Sequence, residues 1–222
     1  MTAATKTAPA VTPLHIVNAR VTYRNAPIHL LEKFTFKDVD GAHRAFLKDA
    51  GFEECIILQT CNRVEVYAAA KEPDEAKLLE EWASSVGLQE KDFSNVELSR
   101  GRDAVLHLMK LTSGLDSLVV GEDQILGQVR RALEFSRSGR YASANLSLVF
   151  DRALRVGSRV RTATGINRGN GRFSGGRHGS SWRCGGGCLL HHLLGHGHGV
   201  LWLAFDNTYL AFTFGHFQFG NI

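Results

Sequence analysis

The chain has 222 residues, of which 44% are hydrophobic and 22% charged, and its formal net charge is +4. This length suffices for one or two domains with a sizeable core, and so weak a positive charge, spread among acids, does not by itself indicate nucleic-acid binding. The sequence has no long apolar run and no secretory signal, and two of its four cysteines lie far from any pairing pattern. These features predict a cytoplasmic protein that does not contact membranes.

The first 13 residues are predicted to be a flexible N-terminus. After them, alternating apolar and polar residues predict strands, and apolar residues three and four apart predict helices. The predicted strands are residues 14–22, 53–60, 64–70 and 95–99. The predicted helices are residues 28–33, 38–50 and 73–86, with Asp38 as an N-cap and Gly87 closing the third. The order β-α-β-β-α-β predicts an α+β fold with a ferredoxin-like sheet.

Three more helices are predicted after Gly101, at residues 104–111, 119–138 and 146–164. The last is long and basic, and its arginines are Arg152, Arg155, Arg159 and Arg161. Such a helix either exposes a solvated basic face or connects a domain to another domain or a partner. On the second interpretation, residues 14–144 form a folded domain and residues 145–168 form a linker helix.

Cys61 lies at the tight junction between two predicted strands, followed by Asn62 and Arg63. Cysteine is usually a buried small hydrophobe, but a turn is a better place for an accessible nucleophile. Arg63 would favour the thiolate form of the cysteine, or it would bind a substrate carboxylate with both arms of its guanidinium. Cys55, inside an apolar strand, is expected in the core.

A polar stretch from Gly114 to Gln128 interrupts the helical pattern. Its polar residues include Asp116, Ser117, Glu122, Asp123 and Gln124. One interpretation is a loop and a helix N-terminus, with acids near the positive end of the helix dipole. The other is the polar wall of a pocket. His107, upstream of this stretch, is either a packing residue of its helix or an acid–base group.

Three stretches resemble the glutamyl-tRNA reductase family. Thr60-Cys-Asn-Arg-Val-Glu-Val-Tyr67 resembles its nucleophile motif, and residues 113–129 (SGLDSLVVGEDQILGQV) resemble its second signature. Ala26-Pro27 looks like its N-terminal motif, although this chain has Leu31-Glu32 where the family often has Arg-Glu. The three stretches occur in the family's order.

The resemblance implies an NADPH-dependent oxidoreductase that reduces glutamyl-tRNA to glutamate-1-semialdehyde, the first step of tetrapyrrole (porphyrin) biosynthesis by the five-carbon route. It implies that Cys61 attacks the ester carbonyl, forming a glutamyl thioester as the tRNA leaves. It also implies that Arg63 holds the substrate carboxylate and that His107 assists proton transfer or positioning. The other residues implied to bind substrate are Thr60, Asn62, Glu65, Ser117, Glu122 and Gln128.

The resemblance ends near residue 168. The family continues into a Rossmann domain that binds NADPH and a helical domain that forms a homodimer, and a possible partner is glutamate-1-semialdehyde aminomutase. Residues 169–222 contain no Gly-x-Gly-x-x-Gly turn after a strand, so we expect a truncated form that does not complete the reduction. The alternatives are a non-catalytic glutamyl-tRNA-binding or regulatory module, and a generic thiol hydrolase that needs Cys61 and His107 in contact.

The composition changes abruptly at the same point. Residues 169–222 contain 13 glycines, six histidines, one acid and no lysine, whereas residues 1–168 contain 21 acids and 10 glycines. Such a segment does not easily repay its ordering entropy, so we predict a disordered tail. A loss of reading frame or a genuine extension explains it. Cys184, Cys188 and the nearby histidines are metal-ligand types, but their spacing matches no strong zinc pattern.

Overall fold

The chain divides into two compact units, Met1–Gly169 and Asn170–Ile222. The computed structural model describes residues 14–117, 124–164 and 166 of the first unit and the backbone of five strands in the second. Among the described residues, none of the helices combines the length and the hydrophobicity needed to span a bilayer.

A four-stranded antiparallel sheet forms the centre of the first unit. Its strands are β1 (His15–Thr22), β2 (Glu54–Thr60), β3 (Arg63–Ala70) and β4 (Glu97–Arg100). They lie in the order β2-β3-β1-β4, and β1 pairs along its whole length with β3. This order and the intervening helices confirm the predicted ferredoxin-like βαββαβ arrangement.

Helices cover both faces of this sheet. They are α1 (Ile28–Leu31), α2 (Val39–Lys48), α3 (Glu75–Val86), α4 (Gly101–Thr112), α5 (Gln124–Ser138) and α6 (Ala144–Thr164). Two short 3₁₀ helices, Glu32–Phe34 and Glu90–Asn95, lie in the connections. Because successive strand residues point to opposite faces, each face has its own apolar core. One core contains Phe46 and Trp82 from α2 and α3, and the other contains Leu108, Leu133 and Phe150 from α4, α5 and α6.

Side-chain caps set the helix boundaries. Asp38 accepts a hydrogen bond from the Gly41 amide at 2.8 Å, as predicted for an N-cap. The third helix begins at Glu75 rather than at residue 73, because Asp74 accepts from the Ala76 amide at 2.9 Å. Gly87 closes that helix with a φ of 74°, a left-handed conformation that glycine adopts without steric cost.

The hairpin between β2 and β3 is tighter than predicted. Thr60 pairs directly with Arg63, so the turn contains only Cys61 and Asn62, and Arg63 is the first residue of β3. The assignment of Arg63 to the turn was therefore wrong. Its place in the strand matters because the pleat directs its side chain toward one face of the sheet.

The predicted linker helix, α6, is packed within the first unit. Phe150 and Ala153 are buried in the core that α6 shares with α4 and α5. Gly157 lies so close to α4 that a Cβ atom there would overlap the carbonyl oxygen of Thr112. Arg161, expected on the basic face, is instead buried and donates from Nε to the same carbonyl at 3.2 Å. The side chain of Arg161 points inward because the two helices approach each other so closely.

A glutamate from the sheet caps the N-terminus of α6. Glu54 of β2 accepts hydrogen bonds from the amides of Asn145 at 3.0 Å and Leu146 at 2.7 Å, and from the Ser143 hydroxyl at 2.6 Å. Burial opposes ionisation of Glu54, but these donors outweigh it and lower the pKa of the carboxyl. These hydrogen bonds hold the N-terminus of α6 against β2 of the sheet.

The second unit contains strands where the composition predicted none. They are β5 (Trp182–Cys184), β6 (Cys188–Gly195), β7 (His198–Phe205), β8 (Thr208–Thr213) and β9 (Phe217–Asn221), antiparallel and in chain order. The prediction weighed the glycine content, whereas aliphatic and aromatic residues, which favour strands, are frequent from residue 188 onward. The side chains of this unit lie outside the described part of the chain, so its predicted disorder and the question of a metal site there stay predictions.

Candidate functional site

Cys61 lies in an exposed two-residue turn that its neighbours hold in place. The Asn62 amide donates to the Thr60 hydroxyl at 3.2 Å, and the Tyr23 amide donates to the Asn62 carbonyl at 2.9 Å. Cys61 is exposed, whereas Cys55 is 0% exposed and burial raises the pKa of its thiol. The structure thus confirms the predicted contrast between an accessible thiol and a core thiol.

Three polar residues of β3 share the face that meets α4, α5 and α6. Arg63, Glu65 and Tyr67 alternate along the strand, so all three point to that side. Arg63 is 2% exposed and Glu65 is 0% exposed. Charged groups so deeply buried require partners.

Glu65 is the centre of this buried network. Its carboxylate accepts from Arg63 Nη1 at 2.7 Å, from the Tyr67 hydroxyl at 2.7 Å and from His107 Nε2 at 2.9 Å. Because a carboxylate only accepts, Nε2 carries the proton in this contact. Burial opposes ionisation of Glu65, but His107 and Arg63 outweigh it and hold the pKa of the carboxyl well below its usual range. Burial, together with the Glu65 charge, raises the pKa of Tyr67.

Asp116, which the sequence places in a stretch that is either a loop or the polar wall of a pocket, is a member of the site. Its Oδ2 lies 3.0 Å from Arg63 Nη1, its carbonyl accepts from Arg63 Nη2, and its Oδ1 lies 3.1 Å from Arg24 Nε. The same Oδ2 lies 3.8 Å from His107 Nδ1. Glu65 and Asp116 together engage Arg63, and Asp116 is the more accessible of the two carboxylates, with 21% of its side chain exposed.

A signal for Asp116 was present in the sequence. A strand arginine that faces a buried layer needs more than one acceptor, because its guanidinium has five donors. Asp116 follows Gly114, whose φ of 79° turns the chain just after α4 ends. The sequence could therefore indicate an acid near Arg63, although it could not tell Asp116 from its neighbours.

The predicted site residues that remain to be placed are Thr60, Asn62, Ser117, Glu122 and Gln128. Thr60 and Asn62 belong to the cysteine turn. Ser117 is buried, and its hydroxyl has no hydrogen-bond partner among the described residues. Gln128 is a half-buried residue of α5, and Glu122 lies outside the described residues. Within the described part of the chain, no hydrogen bond joins Cys61 to His107, which the thiol-hydrolase alternative requires.

Comparisons with known proteins agree on one family. A family model described as "Glutamyl-tRNAGlu reductase, N-terminal domain" matches residues 19–164. A glutamyl-tRNA reductase from Cenarchaeum symbiosum is 48% identical over 155 residues, which are 69% of this chain and 37% of that protein. One from Ignicoccus hospitalis is 38% identical, over 70% of this chain and 35% of that protein.

A solved structure gives the same result. Glutamyl-tRNA reductase from Methanopyrus kandleri matches with a TM-score of 0.58 and 34% identity, over 67% of this chain and 34% of that one. The chain therefore spans little more than a third of the length of these relatives.

Proposed function

The chain belongs to the glutamyl-tRNA reductase family through its N-terminal domain, and we propose that it captures glutamate from glutamyl-tRNA as a thioester on Cys61. The observation that carries this proposal is the exposed cysteine two residues before a buried arginine that is held between two carboxylates. A nucleophile beside a site for an acidic side chain fits a glutamyl ester.

The proposed capture is an acyl transfer. The Cys61 thiolate attacks the ester carbonyl carbon, and the tetrahedral intermediate collapses with cleavage of the bond to the ribose oxygen. The RNA leaves as a terminal hydroxyl after taking up a proton. His107 donates Nε2–H to Glu65, and its Nδ1 takes a proton from solvent and delivers it to the leaving ribose oxygen.

Arg63 is the proposed site for the side-chain carboxylate of glutamate. Its guanidinium already contacts Asp116, so the substrate carboxylate takes the place of Asp116 Oδ2 on Nη1. Glu65 has three donors on its carboxylate and no exposed surface. We therefore assign Glu65 to positioning Arg63 and His107, rather than to the substrate contact that the resemblance implied.

The reduction of the thioester to glutamate-1-semialdehyde, with NADPH as the reductant, is part of the proposal for the family reaction. The described residues of this chain do not fit that cofactor. A dinucleotide site forms at a glycine-rich turn after a parallel strand, whereas the sheet of the first unit is antiparallel throughout. We assign no reduction step to these residues. The homodimer and the aminomutase partner stay expectations from the resemblance.

The capture can be tested with tRNA carrying labelled glutamate. We expect label on the wild-type chain that survives denaturation and is released by neutral hydroxylamine, as a thioester is. Cys61→Ala should abolish this label, and Cys55→Ala, a matched change at the buried thiol, should leave it. Loss of label in Cys55→Ala alone, or label that persists in Cys61→Ala, would contradict the assignment. Binding of tRNA without any label would identify a binding module instead.

A further inference from the structure

The solvent side of α5 and α6 has a dense group of arginines. Six of them are exposed, namely Arg130, Arg131, Arg137, Arg152, Arg155 and Arg159, and we call this surface the arginine face. The acids among them are Glu134 and Asp151, and Asp151 is paired with Arg137 at 2.6 Å. Most of the positive charge of this face is therefore directed to solvent.

This charge contrasts with the rest of the domain. The two helices contain seven arginines, two acids and no lysine. The remainder of residues 1–168 contains 16 basic and 19 acidic residues. Within residues 1–168 the excess of positive over negative charge is thus concentrated on one pair of helices, and a patch of one sign attracts a polyanion.

The shape of the face suits an extended backbone. A groove of about 320 Å³ runs between the helices, and Arg130, Arg137 and Arg155 are among its lining residues. Arg152 and Arg159 are seven residues apart on α6, which is about 10 Å along a helix that rises about 1.5 Å per residue. Arginine binds phosphate oxygens with a planar fork, and lysine acts as a point charge. An all-arginine face therefore offers a series of planar forks, which suits the regularly repeated phosphates of an extended backbone.

The arginine face and the cysteine site are connected through the end of α4. Arg161, near the C-terminus of α6, donates to the carbonyl of Thr112, and Thr112 precedes Asp116 by only four residues. Asp116 in turn contacts Arg63. The C-terminal half of α6 thus lies at the end of the domain that holds the site.

We propose that the arginine face binds the phosphate backbone of the RNA whose terminal ester is presented to Cys61. This inference rests on the proposed function and adds to it the surface that receives the RNA. Each phosphate contact releases counterions, so the affinity should fall steeply with salt.

The test measures binding of unacylated glutamate tRNA by fluorescence anisotropy between about 0.05 and 0.2 M salt. The helix variant combines Arg130→Gln, Arg152→Gln and Arg155→Gln. The control variant, Arg44→Gln with Lys48→Gln and Lys77→Gln, removes the same charge from exposed positions of α2 and α3. At about 0.1 M salt the helix variant should bind roughly 100-fold more weakly, with a log–log salt slope smaller by about 2–3. The control should change the affinity less than about 3-fold, since long-range charge effects are screened at this salt concentration.

Equal losses in the two variants, or no loss in the helix variant, would overturn the proposal. Lysine at the same three positions should restore most of the salt slope, and failure to restore it in a folded protein would also overturn it. Helix-dependent binding to phosphatidylserine vesicles without helix-dependent RNA binding would assign the face to a membrane surface instead.

A separate assay distinguishes this inference from the proposed function. The helix variant should still take glutamate onto Cys61 from an activated glutamyl ester that contains no RNA. If wild type takes no glutamate from either substrate but binds RNA through the arginine face, the proposed function fails and the inference stands. If capture occurs from both substrates while RNA binding does not depend on the face, the inference fails and the proposed function stands.

Discussion

Glu65 accepts hydrogen bonds from three side chains of the site. It is fully buried, and its partners are two groups that carry or can carry positive charge, Arg63 and His107, together with the Tyr67 hydroxyl. A buried charge is tolerable only when it is paired and hydrogen-bonded. The three contacts therefore form one unit, and removing its centre affects each of them.

Glu65→Gln should lower the free energy of unfolding by about 3 kcal/mol, because it leaves the buried guanidinium of Arg63 with less compensation. Urea denaturation near neutral pH would measure the change. Glu97→Gln is the matched control, since Glu97 also contacts an arginine at 2.7 Å but is 51% exposed. Its loss should be below about 1 kcal/mol, as for exposed pairs. Equal losses of unfolding free energy in the two variants would show that the buried Arg63–Glu65 pair is no more important for stability than an exposed pair.

At the scale of elements, the close approach of α6 to α4 depends on one glycine. A Cβ atom at position 157 would overlap backbone atoms of Thr112, which cannot move without shifting α4. Gly127 in α5 offers a contrast, because the nearest atom to a Cβ there is Arg131 Nη1 at 3.6 Å, an ordinary contact.

Gly157→Ala should therefore lower the unfolding free energy by about 1–3 kcal/mol, the usual cost of overpacking. Gly127→Ala should raise it by up to about 1 kcal/mol, because alanine favours a helix more than glycine does. Thermal or urea denaturation of both variants would measure the expected decrease and the expected increase in unfolding free energy. A stabilising effect of Gly157→Ala would mean that the helices are not in close contact at this point.

His43 joins three elements through its ring. Nδ1 lies 2.7 Å from the Val39 carbonyl of α2, Nε2 accepts from the Ile57 amide of β2 at 3.3 Å, and Nε2 lies 3.0 Å from the Ser136 hydroxyl of α5. Burial lowers the pKa of His43 below its ordinary value of 6.5, although the Val39 carbonyl and Asp40 oppose the change. The folded state thus favours the neutral form of the imidazole over the charged form.

The lowered pKa of His43 determines whether the free energy of unfolding rises or falls with pH. Between the lowered folded pKa and 6.5 the unfolded chain binds more protons, so stability falls as the pH drops through that range. The unfolding free energy should therefore decrease from pH 7 to about 5, and His43→Gln should make the decrease shallower. His29→Gln, at an exposed position, should keep the wild-type decrease. An unchanged pH dependence in His43→Gln would exclude this histidine as the cause.

At the scale of the whole molecule, the residues that we propose for glutamate capture and the site of the reductant are two separate matters. Cys61, Arg63 and His107 all lie in the first unit. Residues 169–222 contain no Gly-x-Gly-x-x-Gly turn after a strand. We therefore expect a thioester formed on Cys61 of this polypeptide to be exposed to water with no hydride donor bound.

For the 222-residue polypeptide we accordingly expect free glutamate, and no glutamate-1-semialdehyde, from glutamyl-tRNA with or without NADPH. Chromatographic separation of aldehyde from glutamate would measure the two products. NADPH-dependent aldehyde would show that a cofactor site exists in residues that the family resemblance does not cover. Loss of glutamate release in Cys61→Ala would link the hydrolysis to the thioester.

The sequence by itself determined the order of elements in the first unit, because periods of 2 and 3.6 and local caps are properties of neighbouring residues. Asp38, Gly87 and the exposed turn at Cys61 all follow from short stretches of chain. The family resemblance rests on equally local motifs. It named Arg63 and His107 for the site, and the structure places both in one network.

Only the tertiary structure decided which groups meet. Asp116 is 53 positions from Arg63, and Glu54 is 91 positions from the Asn145 amide that it caps. Strand alternation predicts the face on which Arg63 and Glu65 lie, but not the residues opposite them, because those depend on the register of the sheet and on the approach of α4 and α6. Arg161 turned inward for the same reason, since the space at Gly157 brings its guanidinium to Thr112. Contacts between distant segments are set by packing, which no local pattern records.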